Sequence, residues 1–149
     1  MSRMNWHEIA PEGAKTLLGV YHYVMQNTDL PEALIHLVFL RVSQINGCAH
    51  CIDMHSRDLR KTMPIDKILL VTVWAEVPHL FSDQQRAALA WAEEVTRISE
   101  THASDEAYAA ASAAFSPKEL VDLTITIAAM NAFNRLGAPF RLPVAARSA

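Results

Sequence analysis

Cysteine, glycine and long apolar runs are all scarce in this chain. There are two cysteines and four glycines in 149 residues. The longest apolar runs, Ile68 to Ala75 and Ile125 to Met130, fall well short of the ~18 residues of a membrane span. The N-terminus, Met1-Ser2-Arg3-Met4-Asn5-Trp6-His7-Glu8, has no apolar stretch after its single Arg. It therefore does not read as a signal peptide, and a cytoplasmic protein with no membrane partner is expected. Excess positive charge is lacking too: 13 Lys and Arg stand against 16 Asp and Glu, net −3. No field attracts nucleic acid, which is excluded as a partner. Internal repeats, low-complexity tracts and charged linkers are missing, so residues 1–149 read as a single domain.

Period-two alternation is also absent, and apolar residues recur at spacings of three and four almost throughout. The expected fold is all-α, a compact bundle of about six to seven helices. A first helix is expected over Ala14 to Asn27 and a second from Pro31 to about Ile45. Asn46-Gly47 then breaks the chain, because Gly tolerates the left-handed conformation that closes a helix. A third helix carries Cys48 to Lys61, and a fourth, opened by Pro64, runs from Ile65 to Glu76 and reads as largely buried. Ser82-Asp83-Gln84-Gln85 has capping-box spacing and should start a long helix to about Glu100. Ser104-Asp105 starts another. Ser116-Pro117-Lys118-Glu119 is the strongest start signal, and the helix behind it is apolar on nearly every side. Such a helix belongs in the core or in a contact between subunits.

The chemistry-bearing segment is Gly47-Cys48-Ala49-His50-Cys51-Ile52-Asp53-Met54-His55. At 100° per residue, Cys48, Cys51 and His55 fall within a helical sector about 60° wide. Cys51 and His55 stand at i, i+4, where helical side chains meet. Behind the Gly47 break the cysteines occupy a first turn, where unpaired N–H groups and the macrodipole favour an anion. A reactive thiol needs such a place, since the thiolate is the nucleophile. His55 could take the Cys51 proton, and Cys48 is close enough to close a disulfide on an oxidised Cys51.

Three other readings of these residues stay open. The cysteines could be idle packing groups in a structural module. Cys48, Cys51 and His55 could hold zinc, with His36 or His79 as a fourth ligand, although a second cysteine pair is lacking. General thiol–disulfide exchange is the third. Covalent haem is excluded in its usual form, because Ile52 rather than His follows Cys51. No cofactor and no metal is assigned from the sequence. Trp6, Trp74 and Trp91 read as packing groups, and His7, His22, His79 and His102 as surface or boundary residues.

Leu40-Arg41-Val42-Ser43-Gln44-Ile45-Asn46-Gly47-Cys48, with Cys51 and His55 beyond it, resembles the alkylhydroperoxidase D-like proteins of the carboxymuconolactone decarboxylase superfamily. The resemblance continues through Ala88-Leu89-Ala90-Trp91-Ala92-Glu93 and Glu119-Leu120-Val121-Asp122-Leu123-Thr124 to Asn131-Ala132-Phe133-Asn134-Arg135-Leu136, covering about residues 14–142. It implies an AhpD-like helical fold with the pair at a helix N-terminus, and a homo-oligomer (dimer, trimer or hexamer). It also implies a peroxidase-type enzyme that reduces hydroperoxides at the expense of a dithiol or protein reductant. Carried over, Cys51 attacks the peroxide, Cys48 resolves, His55 is the base, and His50 matches the histidine between the cysteines. The family's relay glutamate, twelve residues before the first cysteine, is here His36. Glu32, one turn earlier, is its understudy. If His36 serves in that relay, activity is expected to rise with pH across the histidine range, near ~6.5 before environmental shifts.

Overall fold

The computed structural model describes residues 2–145. Among them the regular structure is entirely helical. It comprises α1 (Trp6–Ile9), α2 (Pro11–Gln26), α3 (Glu32–Asn46), α4 (Ala49–Leu59), α5 (Ile65–Leu69), α6 (Asp83–Thr96), α7 (Ile98–Thr101), α8 (Asp105–Ala114) and α9 (Pro117–Gly137). Two 3₁₀ segments, Leu70–Glu76 and Pro78–Leu80, lie between α5 and α6. No helix among the described residues is long and apolar enough to cross a membrane.

The core is organised around α3, which packs against α4, α6 and α9. Its residues Leu34 to Ser43 are all buried, so it has no solvent face over ten positions. That burial encloses charge, and the charge is paired. Arg41, 8% exposed, donates to Glu93 of α6 at 2.8 Å, and the Trp74 indole N–H donates to the same carboxylate oxygen at 2.8 Å. Asp122 of α9 is fully buried but accepts from the Tyr23 hydroxyl at 2.8 Å and pairs with Lys118. These ties fix how α2, α3, α6 and α9 sit around the site, because a buried polar group without a partner costs roughly 1–3 kcal/mol.

The helix starts at Ser82 and Ser116 form as expected, each a complete capping box. Pro31 sits one residue before α3, as its N-cap rather than within its first turn. Three other expectations need correction. Among the described residues the count of helices exceeds six to seven, because α1 adds one at the start and the long helix from Ser82 divides at Arg97 (φ −101°, ψ 31°) into α6 and α7. The segment Ile65–Glu76 is not one buried helix. It tightens to 3₁₀ after Leu69 and kinks at Val73 (φ −123°, ψ 28°), where the run Val71-Thr72-Val73 is β-branched and disfavours α-helix. Only Ile68 and Val71 are buried there, while Ile65, Leu69 and Val73 face outward. Helix α9 is a core helix, but its buried face includes polar Asp122, Thr126 and Asn134.

Candidate active site

Gly47 ends α3 with φ +66°, the left-handed conformation that the sequence placed there. Cys48 follows as the N-cap of α4 in extended conformation, with its backbone N–H donating to the Ser43 carbonyl at 3.0 Å. Cys51 lies in the first turn of α4, and Cys51, His55 and Leu59 form its buried stripe. Both thiols are free, and their sulfurs are 2.6 Å apart. Closing a bond of ~2.05 Å therefore requires only a small movement.

The two sulfurs differ in access. Cys48 is fully buried, while Cys51 is 4% exposed and lines a cavity of about 270 Å³. The cavity walls are mostly apolar, with Trp6, Tyr21, Met54, Phe133 and Leu142 among them. His50 stands at its edge, and its Nδ1 donates to the Pro143 carbonyl at 2.6 Å. A carbonyl only accepts, so Nδ1 carries a proton. That bond holds the segment after α9 across the start of α4. Trp6 is thus more than a packing group, and His7 also borders the cavity.

The thiols ionise as a pair. Cys48 is lowered to about 6, first because the Cys51 S–H donates to its sulfur; burial opposes this, and the Cys51 backbone N–H, His50 and the Asn134 amide add to it. Cys51 is pushed up, first by that same shared proton and then by burial. Asn134 and Ser43 lower Cys51 in part, and they are joined by a 3.1 Å hydrogen bond from the Asn134 amide to the Ser43 hydroxyl.

His55 is fully buried. Its Nδ1 lies 3.3 Å from Nδ1 of His36, and the Phe39 ring packs on it at 4.9 Å between centroids. Its Nε2 is buried without a hydrogen-bond partner. Burial, and then the neighbouring His36, lower its pKa to about 3, with Asp58 opposing and His50 adding slightly. His55 is therefore neutral at pH 7, and an activity rise near pH 6.5 is not expected from it. The expected rise near ~6.5 holds before environmental shifts, and burial is the shift that moves His55 out of that range. On the other side of His36, Nε2 is 3.5 Å from the Glu32 carboxylate. Asp58 Oδ2 lies 3.8 Å from His36 Nδ1 and 4.0 Å from His55 Nδ1.

The structure thus brings Cys48, Cys51 and His50 together at one end of α4 and His36 and His55 one turn further along. The zinc set of Cys48, Cys51 and His55 with His36 or His79 does not gather. Among the described residues the group with converging ligand atoms is His36, His55 and Asp58.

Sequence reasoning gave no role to Gly137, Asn134 or Ser43. A Cβ at Gly137 would stand 2.8 Å from the Cys48 sulfur and 3.5 Å from that of Cys51. The last turn of α9 thus approaches the thiols as closely as glycine permits. Gly137→Ala should force Cys48 aside, destabilise the reduced protein by about 1–3 kcal/mol and slow disulfide closure. Urea unfolding and stopped-flow oxidation check both effects.

Residues 11–94 match the carboxymuconolactone decarboxylase family. The uncharacterized protein YdfG of Bacillus subtilis is 35% identical over 135 residues, 90% of each chain. A crystal structure of a protein of unknown function from Agrobacterium tumefaciens, proposed to be the antioxidant defence protein AhpD, superposes with TM-score 0.94. It is 38% identical and covers 99% of this chain and 100% of its own. A peroxidase-related protein from Silicibacter shares the fold at TM-score 0.78 and 19% identity, over 89% of this chain and 70% of its own.

Proposed function

The chain belongs to the carboxymuconolactone decarboxylase family, with an AhpD-like fold, and from that premise we propose that it is a thiol-dependent peroxidase. One observation carries the reading: a cavity wall formed by Cys51, with the Cys48 sulfur 2.6 Å behind it at the start of a helix.

In this reading the Cys51 thiolate attacks the terminal oxygen of a hydroperoxide. The O–O bond breaks, the alkoxide leaves with a proton as an alcohol, and Cys51 becomes a sulfenic acid. Cys48 then attacks the Cys51 sulfur, the S–S bond forms, and the hydroxyl leaves as water. A dithiol reductant completes the cycle by thiol–disulfide exchange. The apolar cavity favours an organic hydroperoxide, and the buried sulfurs disfavour exchange with large protein disulfides.

In the same reading His55 is the base through Nε2; that nitrogen has no hydrogen-bond partner and so lies beyond direct reach of either sulfur, and the proton would pass to it through one bridging water. For Nε2 to hold a lone pair, the neutral ring must carry its proton on Nδ1. That proton is donated to Nδ1 of His36, 3.3 Å away. His36 then keeps its own proton on Nε2, facing the Glu32 carboxylate at 3.5 Å. Glu32, acting through His36, supplies the orientation that the family's glutamate gives directly.

The test is stoichiometric oxidation of the reduced protein by cumene hydroperoxide. One equivalent should consume both thiols, yield one equivalent of the alcohol and leave an intramolecular disulfide two hydrogens lighter. Persistence of both thiols under excess hydroperoxide overturns the reading.

A further inference from the structure

We propose that Nδ1 of His36, Nδ1 of His55 and Oδ2 of Asp58 form a binding site for a divalent first-row transition metal, with Zn²⁺ the best match. The three atoms form a triangle with sides of 3.3, 3.8 and 4.0 Å. A point in their plane lies about 2.2 Å from each, at the long end of Zn–N and Zn–O bond lengths. Two imidazoles and one carboxylate suit zinc among the divalent metals, and its filled d shell imposes no geometry of its own. Calcium and magnesium prefer all-oxygen ligands.

Two further observations point the same way. His36 and His55 are 5% and 0% exposed, so the ligand atoms are held by packing on α3 and α4. His36 also turns its other nitrogen to the Glu32 carboxylate at 3.5 Å. A metal-bound histidine commonly rests on such a carboxylate, which fixes its tautomer and raises its basicity. Asp58 itself is steadied by Lys61 at 2.8 Å, and its partly exposed side chain leaves an entry for the ion.

The site has a consequence for the chemistry, which rests on the peroxidase reading. A metal on Nδ1 of His55 needs the lone pair of that nitrogen, so the neutral ring's one proton moves from Nδ1, where it was shared with His36, to Nε2. That nitrogen can no longer accept a proton from the thiol pair. Metal binding therefore slows formation of the sulfenic acid while leaving the cavity open.

The binding itself is tested without reference to peroxide. Full-length protein, reduced and stripped with chelator, is titrated with Zn²⁺ against a chromogenic chelator and with Co²⁺ in the visible range. The expected result is one ion per chain, with Co²⁺ d–d bands and no thiolate-to-metal charge transfer. Affinity should persist in Cys48→Ser/Cys51→Ser and fall about a hundredfold or more in Asp58→Asn, since losing a ligand exceeds the ~10–100-fold of a supporting group. Glu32 is largely exposed, so Glu32→Gln keeps the fold, and it should weaken Zn²⁺ at least ~10-fold; it carries the test if Asp58→Asn does not fold. No binding, binding lost with the cysteines, or an affinity that a folded Asp58→Asn leaves intact overturns the proposal. If Zn²⁺ binds as stated and cumene hydroperoxide still leaves the thiols untouched, the metal site stands and the peroxidase reading falls.

Discussion

Cys51→Ser will fail to react with hydroperoxide above background, a loss on the order of a thousandfold or more, because a serine hydroxyl stays un-ionised where a thiolate is needed. Cys48→Ser, in contrast, will still be oxidised and will hold its sulfenic acid long enough for trapping by a 1,3-dicarbonyl reagent. Ionisation alone argues the other way. Cys48 is lowered to about 6, so at pH 7 most of the charge rests on it. Access decides against Cys48. Its sulfur is fully buried, with Gly137 close behind it, whereas attack on an O–O bond requires an in-line approach at about 3–3.5 Å. Cys51 meets the cavity, and at 2.6 Å the shared proton can cross to Cys48 and leave the charge on Cys51. The measurement is mass spectrometry of trapped adducts in both variants after one equivalent of cumene hydroperoxide. An adduct on Cys48 in Cys51→Ser, with none in the reverse variant, assigns the roles the other way round.

What the sequence made legible follows from the range over which each feature acts. The Gly47 stop, the Cys48 start and the two serine capping boxes are local, encoded within about four residues, and they formed as read. The phasing of Cys51 and His55 on one face of α4 is likewise helical arithmetic. Residues brought in by packing were not legible. Asn134 and Ser43 meet across 91 positions of chain, and Gly137 touches the thiols only because α9 crosses the start of α4. Asp58 has no distinguishing signal in the sequence, and its convergence with His36 depends on how α3 and α4 pack. The segment Ile65–Glu76 failed for another reason. Its apolar content suggested burial, but it left Ile65, Leu69 and Val73 exposed.

Acid will destabilise this fold before its carboxylates titrate, and His55 will be the main cause. Burial, with His36 of α3 facing the ring, holds His55 at about 3 against an ordinary 6.5, while Asp58 pulls the other way and His50 adds slightly. Between those two values the unfolded chain binds a proton that the folded chain refuses. Stability therefore rises with pH through this window and is lost as pH falls from 6.5 toward 3. Integrated from pH 7 to pH 5, the loss is about 2 kcal/mol, a large share of the 5–15 kcal/mol typical of a domain. In His55→Gln the titrating group is gone but an amide can still meet His36. Its unfolding free energy should fall about 2 kcal/mol less than the parent's over the same interval. Urea unfolding of reduced, chelator-treated protein, at one protein concentration and at half-unit steps of pH, gives both curves. Parallel curves would mean that His55 takes up its proton as readily in the folded chain as in the unfolded one. Its Nε2 would then not be the dry, unpartnered nitrogen on which the base assignment depends.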